Sequence, residues 1–210
     1  MQWIAIAVII ICIACIAAVL ICTISKPRNK GIIITKEFRE IADLIENTNE
    51  SVFITGKAGT GKSTLLKYIK KRTKKKFVVL APTGVAALNV GGQTVNSFFR
   101  LPPKLLNEND IKVQWRKTAQ LFSRLELVII DEVSMVSADL MNAIDLALRK
   151  NRNRFEEPFG GVQMIFIGDL FQLPPVVMQK DKAYFEERYG GEYFFDAPVF
   201  KQGFKYRFKE

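Results

Sequence analysis

The stretch "ITGKAGTGKST" at residues 54–64 limits what this chain can fold into more than any other part of it. It contains G-x-x-x-x-G-K-[ST] in full at residues 56–63, after the apolar run "SVFIT" and before "TLLKYIKKRTKKK", a stretch with helical spacing. Strand, glycine loop and helix in that order make a phosphate cradle. The glycines let backbone N–H groups turn inward at a helix N-terminus, where partial positive charge favours an anion. Gly56, Lys57, Ala58, Gly59, Thr60, Gly61, Lys62, Ser63 and Thr64 are therefore the candidate nucleotide-binding residues. Lys62 would reach the β and γ phosphates of ATP, and the Ser63 hydroxyl would ligate Mg²⁺.

A cradle of this kind needs a metal-holding acid at the end of a neighbouring strand, and "LVIIDE" supplies Asp131 with Glu132 beside it. Asp131 would complete the Mg²⁺ shell while Glu132 orients and deprotonates the attacking water. In "IGDLFQLPPV", Gln172 follows another strand end, where its amide either bonds the γ-phosphate or is a plain polar turn residue. The strands themselves are "SVFIT", "FVVLA", "ELVIID" and "QMIFIG", apolar runs rich in β-branched residues and separated by helical stretches. Runs so uniformly apolar are buried on both faces, which predicts a mostly parallel sheet flanked by helices. A further helix, "TKEFREIADLIENT", precedes the first strand with Thr35 as its N-cap.

Charge and cysteine usage narrow the partners. The 210 residues suit one ordinary domain, and residues 1–25 carry no charged side chain, so the net charge of +10 sits on residues 26–210. A surface that basic favours a polyanion, nucleic acid or an anionic membrane face. Cys12, Cys15 and Cys22 all lie in the apolar N-terminal run, leaving the rest of the chain without cysteines for a disulfide framework or a cysteine-based zinc site. Histidine is absent, so carboxylates, lysine and a bound cation carry any chemistry.

Residues 3–24 form an uncharged run that as a helix is roughly 33 Å long, enough for a bilayer core of about 30 Å. "KPRNK" follows at once and places the C-terminal side in the cytoplasm. The organisation is then an N-terminal transmembrane segment at 1–25, a basic linker at 26–34 and the main domain at 35–210. The other reading of the run is a mis-assigned start, which would leave the domain free for the nucleoid or nucleus. The tract "KYIKKRTKKK" reads as the solvated face of the helix after the phosphate loop.

Four long stretches occur in one order: "FITGKAGTGKSTLL", "APTGVAALNVGGQTVNSFF", "LELVIIDEVSMVSADLMNAID" and "PFGGVQMIFIGDLFQLPPV". Together they resemble the petite-integration-frequency (Pif) family of superfamily 1 DNA helicases, over roughly residues 35–200. The resemblance implies a RecA-like P-loop NTPase motor that uses ATP and Mg²⁺ to move 5′ to 3′ along single-stranded DNA and to open duplex junctions, in repair, recombination or replication. It gives Lys62, Glu132 and Gln172 catalytic roles and places Thr83, Gly84, Asn96 and Phe98 at the DNA, the phenylalanine by stacking on a base or, equally, by packing in the core.

The departures from that family are specific. Asn96 stands where a histidine is usual, Leu170 stands where a second aromatic is usual, and a glutamine that reads adenine has no counterpart near Phe38 and Glu40. Arg149, Arg152 and Arg154 sit in no matching motif. The stretch "FDAPVFKQGFKYRFKE" stops where the family continues toward a second RecA-like domain that supplies a transition-state arginine. The expected function is thus one motor domain of a helicase, completed by a second domain or a partner. The alternative is a membrane-tethered, ATP-dependent DNA-binding switch that unwinds nothing alone.

Overall fold

A computed structural model describes residues 34–113 and 117–210. The predicted span at residues 3–24 lies outside them. Among the described residues no helix is long and apolar enough to cross a membrane. Residues Thr35–Glu210 form one compact unit.

The described residues open with helix α1 (Lys36–Asn47), whose N-cap is Thr35: its Oγ1 accepts a hydrogen bond from Phe38 N at 3.3 Å. The apolar stripe of α1 buries Ile41, Ala42 and Ile45. Strand β1 (Ser51–Ile54) follows, then α2 (Lys62–Arg72), β2 (Phe77–Ala81) and the short α3 (Gly84–Val90). Next come β3 (Gln93–Thr94), α4 (Val95–Phe99), α5 (Lys117–Arg124), β4 (Leu127–Ile130) and the long α6 (Ala138–Arg152). The chain closes with β5 (Gln163–Ile167), α7 (Lys182–Tyr189), α8 (Pro198–Lys201) and β6 (Tyr206–Lys209).

The sheet has six strands in the order β3-β2-β4-β5-β1-β6, and every adjacent pair is parallel. Its central strands are buried along their whole length, as their uniform apolarity requires. Side chains alternate between the faces. Val52, Ile54, Ile129, Ile165 and Ile167 meet Ile41, Ile45, Leu65, Leu66 and Ile69 of α1 and α2. Phe53, Val128, Ile130, Met164 and Phe166 face the other way, onto Met141, Ile144 and Leu148 of α6. Val52 pairs with Ile165 and Ile129 with Ile165 in register, so each layer is continuous across strands.

Two strands were not expected from the sequence. β3 is only two residues long, and β6 is largely exposed, with Phe208 58% accessible. Neither has the buried apolar run that marks the other four. The expectation that the acid-bearing strand lies beside β1 is corrected: β5 stands between β1 and β4.

The basic tract after the phosphate loop is more tied to the fold than a solvated face. Lys70 Nζ donates to Val90 O at 2.5 Å, Arg72 pairs with Asp43 at 2.7 Å, and Lys75 Nζ bonds Thr48 O and Gln163 Oε1 at 2.5 and 2.8 Å. Burial lowers the pKa of Lys75, against the pull of Glu46 and Glu126. Lys67, Lys71 and Lys74 remain exposed.

Candidate functional site

The loop between β1 and α2 has the cradle shape that its glycines allow. Gly59 lies at φ +82° with open space where a Cβ would project, and Gly61 caps α2 at φ +99°. Both conformations are ones a side chain disfavours. A Cβ on Gly61 would come within 3.1 Å of Phe38 Cζ, so the ring of α1 presses directly on the loop. Thr60 Oγ1 donates to Lys57 O at 2.9 Å and tightens the turn. Lys62 Nζ donates to the carbonyls of Gly56 and Lys57, the latter at 3.0 Å, which holds the ammonium across the loop.

At the end of β4, Asp131 is 8% exposed. Its N–H donates to Leu80 O at 2.9 Å, which ties the strand end to β2. Burial, reinforced by the adjacent Glu132 carboxylate, pushes its carboxyl up to about 6, against the pull of a backbone N–H and of Lys62. Glu132 takes a left-handed backbone conformation, φ 52° and ψ 43°, rare for a residue with a side chain. The same left-handed region is taken by Arg100, Asn153 and Phe159.

Gly168 and Asp169 follow strand β5, and Asp169 is the residue that sequence reasoning missed. It is 5% exposed and its two carboxylate oxygens accept from Phe171 N at 3.1 Å and Gln172 Nε2 at 2.8 Å. Those two bonds, with attraction from Lys62 and Lys57, hold its carboxyl below the usual range. The signal was present in "GDLFQ": an aspartate whose side chain turns back onto the N–H two residues later. Asp169 thus orients the amide of Gln172.

The carboxyl ends of the adjacent strands β1, β5 and β4 therefore bring three motifs together. A cavity of about 370 Å³ is lined by Ala58, Gly59, Gly61, Lys62, Ser63, Thr64, Glu132 and Gln172. Ser63 and Asp131 also share a smaller cleft with Glu132 and with Ala86 and Asn89 of α3. A third cavity, about 380 Å³, shares Lys62 and is lined by Gly56, Lys57 and Thr60 together with Phe38, Ile41 and Leu65. The donor set suits a nucleotide with Mg²⁺: open loop space at Gly59, a lysine beside it, a serine hydroxyl and a buried carboxylate facing one cleft.

The residues assigned to DNA lie on the same edge of the sheet but at the other end of it, after β2 and β3. Thr83 caps α3, its Oγ1 accepting from Ala86 N at 3.2 Å, and Gly84 is exposed with nothing near its Cβ position. Asn96 is half-buried and its Nδ2 donates to Leu101 O at 3.4 Å. Phe98 is half-buried too, edge-on to Phe99 at 5.0 Å and to Phe122 at 5.4 Å, while Phe99 is in the core. Arg149, Arg152 and Arg154 all serve the domain's own structure. Arg149 pairs with Asp145, Arg152 bonds the carbonyls of Phe122, Leu125 and Gly160, and Arg154 pairs with Glu157.

Comparison with known proteins gives the family. A family model described as PIF1-like helicase matches residues 33–187. The ATP-dependent DNA helicase PIF1 of Saccharomyces cerevisiae is 35% identical over 182 residues, 83% of this chain and 20% of that protein. The protein of the same name from Danio rerio is 40% identical over 141 residues, 66% of this chain and 22% of its own. Among solved structures, a Bacteroides Pif1 bound to single-stranded DNA superposes with a TM-score of 0.77 at 42% identity, over 84% of this chain and 41% of the other. A Bacteroides Pif1 in complex with ADP-AlF3 and single-stranded DNA gives 0.75 at 44%, over 81% and 40%. The chain thus spans about a fifth of the length of these curated relatives. With a family model matched across most of its described length and the phosphate loop, acid pair and glutamine gathered at one sheet edge, the chain belongs to the PIF1-like helicase family.

Proposed function

We propose that this domain is the N-terminal RecA-like motor of an ATP-dependent DNA helicase, binding and hydrolysing ATP in response to single-stranded DNA and moving 5′ to 3′. The observation that carries the proposal is the cavity in which Lys62, Ser63, Glu132 and Gln172 meet. Backbone N–H groups of the loop hold the phosphates, and Lys62 moves from the loop carbonyls to the β and γ phosphates. Ser63 and Asp131 would hold Mg²⁺, which would supply charge neutralisation at the transferring phosphoryl group. Glu132 takes the proton of the attacking water, and Gln172, steadied by Asp169, bonds the γ-phosphate oxygens.

The link to DNA runs through α3. Its first residues, Thr83 and Gly84, are the proposed phosphate-backbone contacts, and its later residues Ala86 and Asn89 line the cleft that holds Ser63 and Asp131. A strand lying on the N-terminal end of α3 therefore acts on a helix that already walls the nucleotide site. Arg149, Arg152 and Arg154 are each bound within the domain and are not proposed as the transition-state arginine. The relative with ADP-AlF3 and single-stranded DNA holds both ligand classes at once, which supports this pairing of sites. The run at residues 3–24 carries the separate proposal of membrane anchorage, which cell fractionation tests.

The test is ATP turnover by the full chain with and without single-stranded DNA. Turnover should rise with DNA, Lys62→Ala should abolish both binding and turnover, and Glu132→Gln should abolish turnover while ATP still binds. Turnover indifferent to DNA, or equal loss of binding in Glu132→Gln, would sink the proposal.

A further inference from the structure

The turn that follows Glu132 encloses a polar group with nothing to bond. Ser134 is 1% exposed, and its hydroxyl is the one fully enclosed side-chain polar atom among the described residues without a hydrogen-bond partner. Folded chains leave few such groups, because a hydroxyl that has given up water and found no partner opposes folding. An alanine would fill nearly the same space without that loss. Packing therefore does not account for the serine.

Its place in the fold says what it serves. Ser134 sits in the short turn Val133–Met135, two residues after Glu132. Against that turn lies Gly168, the first residue after β5: a Cβ there would be 3.0 Å from Val133 Cγ1 and 3.2 Å from the backbone nitrogens of Val133 and Ser134. Gly168 N in turn donates to Ile54 O at 3.1 Å, at the root of the phosphate loop. The segment that runs on from Gly168 carries Asp169 and Gln172, joined at 2.8 Å. Ser134 thus lies where the turn of Glu132 meets the segment of Gln172. It lines neither the cavity that Glu132 and Gln172 share nor the cleft at Asp131, so any effect on a ligand passes through those residues.

We infer that Ser134 is a positioning residue whose hydroxyl gains its hydrogen bond from the Gly168–Gln172 segment when that segment closes on a nucleotide in its reacting state, an inference that rests on the function proposed above. The bond then fixes Gln172 relative to Glu132. A bond missing from the resting protein and made in the reacting state lowers the barrier without tightening ground-state binding. The unpartnered hydroxyl of the resting fold is the other side of the same arrangement.

The experiment compares Ser134→Ala with wild type in two measurements on the full chain. In urea without nucleotide, Ser134→Ala should unfold at a midpoint no lower than that of wild type, since the hydroxyl has no partner to lose. In titrations with Mg²⁺ present, ADP should bind both proteins equally. ADP with aluminium fluoride, a mimic of the reacting phosphoryl group, should bind Ser134→Ala about two- to tenfold more weakly, the range that one hydrogen bond spans. Ser134→Cys, of similar shape but with a weak donor and acceptor, should behave as Ser134→Ala does. In a Gln172→Ala background, Ser134→Ala should weaken the mimic no further, because the hydroxyl acts through that segment. A destabilised Ser134→Ala, an unmoved affinity for the mimic, or an effect that adds in full to that of Gln172→Ala overturns the inference. If Lys62→Ala binds ADP as wild type does, the phosphate-loop reading itself fails and takes this one with it.

Discussion

Replacing Asp131 by asparagine should make this protein more stable at neutral pH while destroying its turnover. The carboxyl is 8% exposed and beside Glu132. Burial and that neighbour lift it from 3.8 to about 6, and at about 1.36 kcal/mol for each pH unit the difference corresponds to about 3 kcal/mol. The sign follows from proton uptake. Between the two values the folded chain holds a proton that the unfolded chain has released, so stability falls as pH rises through that window. Above it, the folded state carries an ionised Asp131 at full cost. Asparagine has nearly the same shape, can still accept a backbone N–H, and carries no charge. Urea unfolding of the full chain in EDTA at pH 7.5 should show Asp131→Asn more stable by about 1–3 kcal/mol, with a midpoint temperature several degrees higher. At pH 4.5 the advantage should shrink to about 1 kcal/mol or less. A variant no more stable than wild type at pH 7.5, or one whose advantage persists on acidification, refutes the reasoning. Turnover should be lost in either case, since the proposed function gives Asp131 to Mg²⁺ and an amide is a poor ligand for it.

Asp145, at 5% side-chain exposure, accepts from Phe159 N at 2.5 Å and from Arg149 Nε at 2.9 Å. Asp145→Ala leaves a buried N–H and a guanidinium without their acceptor and should cost about 3 kcal/mol in urea unfolding, with ATP affinity unchanged. Gly92 precedes β3 where a Cβ would lie 2.3 Å from Val79 O, so Gly92→Ala should push β3 away from β2. It should cost about 1–3 kcal/mol and weaken single-stranded DNA binding in an anisotropy titration, sparing nucleotide binding. Asp169→Asn loses the acceptor that orients Gln172 and should lower kcat with little change in KM, and by less than Gln172→Ala does.

Much of the site was legible because its chemistry is written locally. The phosphate loop needs consecutive residues only: glycines that accept left-handed backbone, then a lysine and a hydroxyl at a helix start. The apolar runs that became β1, β2, β4 and β5 were equally plain, since a strand buried on both faces is apolar over nearly its whole length. Strand order was not legible, because it depends on which helices cover which face, and so the insertion of β5 between β1 and β4 appears only in three dimensions. That insertion is what sets Asp169 and Gln172 against the loop lysines from a strand far along the chain.

The same division holds for single side chains. The sequence alone marked Lys62, Ser63, Asp131 and Glu132 as chemistry, because residue type and spacing carry that meaning by themselves. Whether Arg152 faces a ligand or three carbonyls of its own domain, whether Phe98 is open to a base or turned edge-on to Phe122, and that Phe38 walls a cavity beside Gly61 were decided by tertiary structure. The reason is that a side chain's surroundings are set by segments distant in sequence, and burial, pairing and cavity walls exist only once those segments have packed.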